Sequence, residues 1–286
     1  MITLLSGLRF SVKVWMLSAA ALIATASAAS LPEESRTPGG IAIIPLEGTD
    51  MNKRPNAWYR SHRVMVTPTQ GTYLQNKAPW AAVIGLPLNI KPADSQHMVA
   101  NGKDYYFSVE PKEYKAQYLT IKNKKHVNPD PAQVERWKVE KAEMTAAFTA
   151  WRDANPITEF ILPAKGRFSS PFGLKRFYNN QARNPHSGLD IAAPQGDPIW
   201  APAPGVVTAV GNYFFNGNTV ILDHGNGLTT MYCHMSKINV KVGDKVNTLD
   251  NLGLIGKTGR VTGPHLHWSV SLNNTRVDPL LFVKEH

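Results

Sequence analysis

The sequence predicts a mostly β protein, and three observations support that fold class. Apolar or alternating runs of strand length recur along the 286 residues. The 21 glycines and 21 prolines are scattered among those runs, where they favour turns and disfavour long helices. Only one stretch has the spacing of a helix. We therefore expect two regions of antiparallel β structure with a single helix connecting them.

Residues 1–29 have the pattern of an export signal. Arg9 and Lys13 precede an apolar run from Val14 to Ala29, which ends in small residues that signal peptidase recognises. An uncleaved anchor is the alternative, but the run is shorter than the roughly 20 residues that cross a bilayer. We therefore predict a cleaved signal peptide, a periplasmic or secreted chain, and no stable membrane span after cleavage.

The formal net charge of +10 is spread along the chain, without the basic tail or stripe typical of nucleic-acid-binding proteins. We therefore expect no nucleic-acid partner. The charge suits an anionic envelope polymer or a membrane surface, or it serves only solubility. The lysine-rich run 122–125 could contact an anionic glycan or teichoic-type polymer, or it is a solvated strand end. The sequence makes no prediction about the oligomeric state.

Residues 30–127 predict a small β-sandwich. Asn101 and Gly102 are predicted to form a hairpin turn, because both residue types favour the positive φ that such a turn requires. The candidate strands of this region are residues 41–46, 64–67, 80–88, 105–109 and 118–121.

Residues 128–155 predict the connecting helix. Asp130 can cap its amino end, and Pro131 suits its first turn. Asn155 is followed by proline, so we expect the helix to end there as a strut between two domains. One face carries apolar residues at helical spacing, which we interpret as a packing surface: Val134, Trp137, Met144, Phe148 and Trp151.

Residues 156–286 predict an antiparallel β domain, because 14 of the 21 glycines fall here among strand-like runs. His224 lies in a predicted tight turn, residues 223–227. The candidate strands are residues 206–210, 219–222, 228–234, 238–242 and 266–272.

Histidines in this last region predict a metal site. His186 and Asp190 are four residues apart, and His265 and His267 are two apart, so each pair shares one face of an extended segment. His234 comes from a third strand. If the three strands are neighbours, four imidazoles and a carboxylate meet. A catalytic zinc site needs three ligands of the N and O type and an open position for water, and this set satisfies that requirement.

Such a site would give a hydrolase its chemistry. Zinc makes hydroxide available near neutral pH, and the remaining histidines can move protons and stabilise an oxyanion. A lone His-x-His pair is more often packed histidine than ligand, so the prediction depends on the combination. Cys233, the only cysteine, precedes His234 and is therefore expected to face the core rather than the site.

The motifs around these residues resemble those of the lysostaphin-type (LytM, M23) zinc metallopeptidases. The resemblance covers about residues 160–283 and does not extend to the first half. It lies in Ser-Ser-Pro-Phe-Gly at 169–173, His-Ser-Gly-Leu-Asp-Ile-Ala-Ala-Pro at 186–194, Gly-Asn-Gly at 225–227, Tyr-Cys-His-Met at 232–235, Gly-Lys-Thr-Gly at 256–259 and Thr-Gly-Pro-His-Leu-His-Trp at 262–268.

The resemblance implies roles for the five residues. It implies one zinc ion held by His186, Asp190 and His267, with His234 and His265 as the catalytic pair that does not bind metal. Some members use a tyrosine before the first zinc histidine. Tyr178 is the candidate here, although the insertion at 179–183 leaves its register open and a packed ring is an equal alternative.

The resemblance also implies a substrate, the peptide stems of bacterial peptidoglycan. The phrase from Asn184 to Asp190 is similar to Gram-negative members, which favours a D,D-endopeptidase acting on the bond between D-alanine and diaminopimelate. The alternative is a non-hydrolytic peptidoglycan-binding regulator or an activator of cell-wall amidases, and the complete set of five residues favours the enzyme. We expect the first region to orient or restrain the peptidase groove.

Overall fold

The computed structural model describes residues 30–92, 95–122, 125 and 127–284. The predicted signal peptide, residues 1–29, and part of the lysine-rich run lie outside the described residues. Within the described ranges, no helix is both long enough and apolar enough to cross a membrane.

The first half folds into two antiparallel sheets that enclose a common core. One sheet has the order β1-β5-β4 and the other β3-β2-β6-β7. Ile44 and Ile84 from the first sheet pack with Tyr59 and Met98 from the second, as a small β-sandwich requires. The strands are β1 Ile41–Pro45, β2 Ala57–Tyr59, β3 His62–Arg63, β4 Met65–Pro68, β5 Trp80–Gly85, β6 Gln96–Ala100, β7 Lys103–Phe107 and β8 Ala116–Leu119.

The predicted mostly β fold is confirmed, and so is one of its turns. Asn101 and Gly102 join β6 to β7 with φ values of 47° and 78°. The sequence prediction missed β2, β3 and β6. In β2 only Ala57 and Tyr59 are buried, whereas Trp58 between them is half exposed, so its apolar signal is too short to stand out.

The helix, α1, spans Pro131–Thr149 and begins where predicted. The Asp130 carboxylate accepts from the backbone N–H of Gln133 at 3.0 Å, and the Gln133 side chain accepts from the backbone N–H of Asp130 at 3.1 Å. This reciprocal pair is a capping box, which satisfies two backbone donors at the start of the helix.

The predicted end of the helix near Asn155 is wrong. The chain leaves the helix at Ala150, whose ψ of 141° is extended. The Trp151 ring then lies 4.1 Å from the guanidinium of Arg63, and Arg152 forms an ion pair with Asp223 at 2.9 Å. Contacts with other elements hold this segment in place after the helix ends. Such contacts cannot be predicted from helical spacing.

The second half is built on a large antiparallel sheet with the order β18-β14-β15-β16-β20-β12-β9, and β21 pairs with β20. Two smaller sheets flank it, β13-β19-β17 and β11-β10-β8, and the pairing of β8 with β10 is parallel. The strands are β9 Arg167–Ser170, β10 Lys175–Tyr178, β11 Gln181–Ala182, β12 Leu189–Ala192, β13 Pro198–Trp200, β14 Gly205–Tyr213, β15 Gly217–Gly225, β16 Leu228–Met235, β17 Lys237–Ile238, β18 Lys245–Val246, β19 Asn251–Leu254, β20 Leu266–Leu272 and β21 Thr275–Val277.

The two halves share a core. The face of the β1-β5-β4 sheet that points away from the sandwich contributes Ile43 and Val83 to one cluster with Trp268 and Leu272 of β20. The sequence predicted that the helix is a strut between two domains. This prediction is wrong, because the two halves are not separate units. The helix packs on the large sheet, with Phe148 among Ile221 and Met231.

Candidate metal centre

Three adjacent strands of the large sheet bring the predicted residues together. Asp190 of β12 pairs with His267 of β20, and His267 pairs in turn with Cys233 of β16. His234 follows directly on β16. His186 lies just before β12, and its backbone N–H donates to the carbonyl oxygen of Leu174.

His186, Asp190 and His267 present three ligand atoms that all lie within 4.8 Å of one another. The Asp190 Oδ1 atom is 2.9 Å from His186 Nε2 and 2.8 Å from His267 Nδ1. The two histidine nitrogens are 3.0 Å apart. The geometry therefore forms a site that could hold a metal ion, with two nitrogens and one oxygen.

The outer atoms of these side chains are held by other groups. His186 Nδ1 lies 2.8 Å from the carbonyl oxygen of Pro171, which can only accept, so this nitrogen carries the proton and Nε2 keeps its lone pair. His267 Nε2 lies 3.0 Å from the Ser269 hydroxyl. Partners of this kind fix the orientation of metal-binding side chains, so the donor set fits a divalent cation such as zinc.

The surroundings favour the protonation states that bind metal. Burial would raise the pKa of Asp190, but its contacts with His186 and His267 hold the pKa well below its usual range. Burial lowers the pKa of His267 to about 4. At neutral pH the group thus offers an ionised carboxylate and a neutral imidazole, the forms that ligate metal ions.

His234 and His265 lie beside this group, with ring centroids 4.9 Å apart. Each Nδ1 donates to a backbone carbonyl, that of Thr258 at 2.8 Å and that of Gly263 at 2.9 Å. Each Nε2 is therefore left as a potential proton acceptor in the neutral ring. Burial lowers the pKa of His234 to about 3, which keeps it neutral. His265 Nε2 is 3.9 Å from Asp190 Oδ1.

His234 has a φ of 65°, in the left-handed region, and the pairing of β15 with β16 is irregular at this point. Cys233 is buried in the hydrophobic cluster beneath α1, so the expectation that it lies in a core is confirmed. It nevertheless lines the same cleft as His234, and the expectation that the two side chains face opposite sides is wrong. Burial raises the pKa of Cys233 to about 12, so its thiol stays protonated and is a poor nucleophile.

Tyr178, the open candidate, ends β10 and is buried in the wall of this cleft. Its hydroxyl accepts from Arg176 Nη1 at 3.2 Å. Asn179 and Asn180, at φ values of 49° and 65°, turn the chain back after it. A part in catalysis stays a prediction.

His224 does not lie in the predicted tight turn but in β15, where it is buried. Its Nδ1 donates to the carbonyl oxygen of Pro204 at 2.8 Å, and Thr230 lies 2.8 Å from Nε2. Burial lowers its pKa to about 4. His224 is a core histidine, and its hydrogen bonds satisfy both ring nitrogens.

We refer to His186, Asp190 and His267 as the metal group. The cleft above it has a volume of about 620 Å³. Trp137 and Met144 of α1 form part of its wall. Sequence reasoning missed Arg176, whose Nη2 is 2.9 Å from the Asp190 Oδ2 atom. It also missed Arg260, which lies over the Tyr178 ring at 4.8 Å. No spacing rule indicates which basic residue will fold onto a distant carboxylate or ring.

Two protein-family models match the chain, peptidase family M23 over residues 184–279 and the peptidase family M23 N-terminal domain over residues 35–112. A crystal structure from Pseudomonas aeruginosa, assigned to peptidase M23, superposes with a TM-score of 0.71 at 38% identity, covering 87% of this chain and 95% of that one.

Curated relatives match over about two fifths of the chain. Peptidoglycan DD-endopeptidase ShyA of Vibrio cholerae is 42% identical over 122 residues, which are 42% of this chain and 28% of that protein. DD-carboxypeptidase/endopeptidase Mpg of Neisseria meningitidis is 41% identical over 114 residues, 40% of this chain and 26% of that protein. The match thus spans about a quarter of the length of these relatives.

Proposed function

The chain belongs to peptidase family M23, and from that premise we propose that it is an exported zinc endopeptidase that hydrolyses peptide cross-links in peptidoglycan. The observation that carries this proposal is the convergence of His186, Asp190 and His267 on one point, with His234 and His265 beside them.

We assign one zinc ion to His186 Nε2, Asp190 Oδ1 and His267 Nδ1. When bound, zinc supplies Lewis-acid polarisation of the scissile carbonyl and activation of the attacking water. The chain holds these three atoms in place through Pro171, Ser269 and Arg176.

The proton transfers belong to the two other histidines. His265, the more exposed of the pair, is assigned as the general base: its Nε2 takes the proton from the attacking water and returns it to the leaving amine nitrogen. His234 is assigned to the oxyanion that develops on the carbonyl. In that role Nε2 takes up a proton from solvent, because the negative charge that develops on the carbonyl oxygen raises the pKa of the imidazole. It donates this proton in a hydrogen bond to the oxyanion while Nδ1 still donates to Thr258, and it returns the proton to solvent when the tetrahedral species collapses.

The proposed bond is the cross-link between D-alanine and diaminopimelate, because the relatives ShyA and Mpg are named DD-endopeptidases. Peptidoglycan lies outside the cytoplasm, so this substrate requires export, and the signal pattern of residues 1–29 supports a periplasmic location.

The test is digestion of purified sacculi by the zinc-loaded mature chain, followed by chromatography of released muropeptides. We expect release that a chelator abolishes and zinc restores. We expect His265→Ala to lose at least 100-fold in rate, roughly the contribution of a general base, while retaining its zinc. His97→Ala changes an exposed histidine of the first half and serves as the control.

A metal-loaded protein that releases no soluble muropeptides would overturn the proposal. So would a His265→Ala variant that digests sacculi at the normal rate. A regulator of other hydrolases would instead keep its cellular effect in that variant.

A further inference from the structure

The cleft beside the metal group is lined by basic side chains. Among the described residues that line it, none is acidic. Asp190, the carboxylate of the metal group itself, is paired with Arg176 and the two histidines. The basic residues that line the cleft are Lys141, Arg176, Arg183, Arg260 and Arg276.

Three of these cations donate hydrogen bonds within the fold. Arg176 binds Asp190, Arg183 donates to the carbonyl oxygen of Val127 at 2.9 Å, and Arg276 donates to the Ser271 hydroxyl at 3.1 Å. The cations of Arg260 and Lys141 lie over aromatic rings at the cleft wall.

Those rings form a connected series. The Arg260 guanidinium lies 4.8 Å from the centroid of Tyr178 and 4.3 Å from that of Phe215. Phe215 meets Trp137 of α1 edge to face at 6.5 Å, and the Lys141 Nζ atom lies 5.1 Å from the Trp137 centroid. Stacking on rings fixes the position of a cation without neutralising its charge.

Nearby acids of α1 have other partners. Glu140 pairs with Arg136 at 2.6 Å, and Glu143 accepts from the Tyr213 hydroxyl at 2.8 Å. The cleft therefore keeps a positive potential close to the metal group, and such a potential attracts and orients anions.

We propose that Arg260 and Lys141 select substrates whose peptide stems carry a free carboxylate next to the scissile amide. This inference rests on the proposed function. Diaminopimelate in the cross-link retains such a carboxylate beside the nitrogen that becomes the leaving group. A guanidinium binds a carboxylate through two parallel N–H donors, whereas an uncharged carboxamide offers it only one neutral oxygen.

The experiment compares two cross-linked muropeptide dimers that differ only in having free carboxylates or primary carboxamides on diaminopimelate. The zinc-loaded mature chain is assayed on both, and kcat/KM is measured by chromatography. We expect the carboxylate dimer to be preferred roughly 10- to 100-fold, as for a charge-assisted hydrogen bond. Arg260→Gln should lose most of this preference by slowing only the carboxylate dimer.

Two further variants complete the test. Lys141→Gln, which changes a lysine on the exposed helix and leaves Arg260 in place, should reduce the preference even if Arg260→Gln does not fold. Lys138→Gln is the matched control: it removes a positive charge from α1 where that charge pairs with Glu135, outside the cleft lining, and should keep the preference of the parent.

Equal cleavage of both dimers by the parent chain would overturn the inference and leave the proposed function intact. So would an unchanged preference in Arg260→Gln and Lys141→Gln. Cleavage of neither dimer would overturn the proposed function and this inference with it.

Discussion

Arg176 acts on the metal group through Asp190. Its Nη2 binds the carboxylate oxygen Oδ2, and Oδ1 is thereby left to face the two histidines. We predict that Arg176→Met weakens zinc binding about 10- to 100-fold, the usual effect of losing a group that orients a ligand. Competition with a chromophoric chelator measures the affinity directly and does not depend on catalysis.

Lys175→Met is the control for that prediction. Lys175 precedes Arg176 on the same strand and is exposed. Its Nζ atom lies 3.7 Å from Glu113 Oε2. Its replacement should leave zinc affinity unchanged. If the two variants bind zinc equally well, Arg176 does not position Asp190.

At the level of single residues, the sequence predicted the chemical groups better than their supports. The five candidate site residues lie close together, as the spacing of His186 with Asp190 and of His265 with His267 predicted, with His234 from a third strand. Arg176 and Arg260 were not found, because their roles depend on contacts between distant segments. His224 was placed wrongly because the predicted turn is shorter than expected: Asn226 and Gly227 form it, and β15 continues through His224 to Gly225.

Packing on the large sheet holds α1 in place. The face of α1 that contacts the sheet is narrow, and Phe148 is its largest buried side chain. We predict that Phe148→Ala lowers the free energy of unfolding by about 3 to 5 kcal/mol, because it leaves a cavity and removes the ring beneath Arg276. Denaturant titration followed by circular dichroism measures the change.

Val139→Ala provides the comparison on the same helix. Val139 is 71% exposed, so its replacement should change stability by less than about 0.5 kcal/mol. Similar losses in the two variants would mean that helix propensity, rather than docking on the sheet, determines stability here.

Strand β15 should make the fold sensitive to acid through His224. Burial lowers its pKa from 6.5 to about 4, so between these values the unfolded chain binds a proton that the folded chain excludes. This stability is complete above pH 6.5 and falls as the pH drops towards 4. We predict that His224→Gln reduces the difference in unfolding free energy between pH 7 and pH 5 by about 2 kcal/mol.

The measurement is denaturant titration at both pH values with a chelator present, so that metal binding does not contribute. Thr230→Val removes a hydrogen-bond partner of His224 and leaves the imidazole in place, so it should be less stable but keep the pH dependence. An identical pH dependence in His224→Gln and the parent would contradict the prediction.

Among the elements, length decided what could be predicted. β15, β16 and β20 carry enough apolar residues to be recognised, whereas two-residue strands such as β3 exist only through their partners. The start of α1 is encoded locally by its capping box, but its end depends on tertiary contacts of Trp151.

In the whole molecule, the buried amide of Asn273 is one of the groups that connect the two halves. Asn273, in the turn between β20 and β21, accepts from the backbone N–H of Gly85 at 2.7 Å and donates to the Gly85 carbonyl at 3.1 Å. We predict that Asn273→Gly destabilises the protein by about 2 to 4 kcal/mol, because both Gly85 groups lose a buried partner. Thermal and denaturant unfolding measure the loss.

Asn274→Gly is the matched control, because Asn273 and Asn274 both have a positive φ, 41° and 59°, that glycine adopts without strain. Its effect should stay below about 0.5 kcal/mol. A comparable loss in both variants would assign the effect to the turn itself and not to the bridge between the halves.

Strand β5 contributes alternate residues to two cores, Val83 to the one shared with the second half and Ile84 to the sandwich. Replacing the first half of this protein with that of another would therefore require residues that fit both faces of β5. A chimera that reproduced only the interior of the sandwich would leave the apolar residues on the other face of β5 exposed and would be prone to aggregate. Exchange of the first half between relatives therefore has to include the residues on both sides of this shared interface.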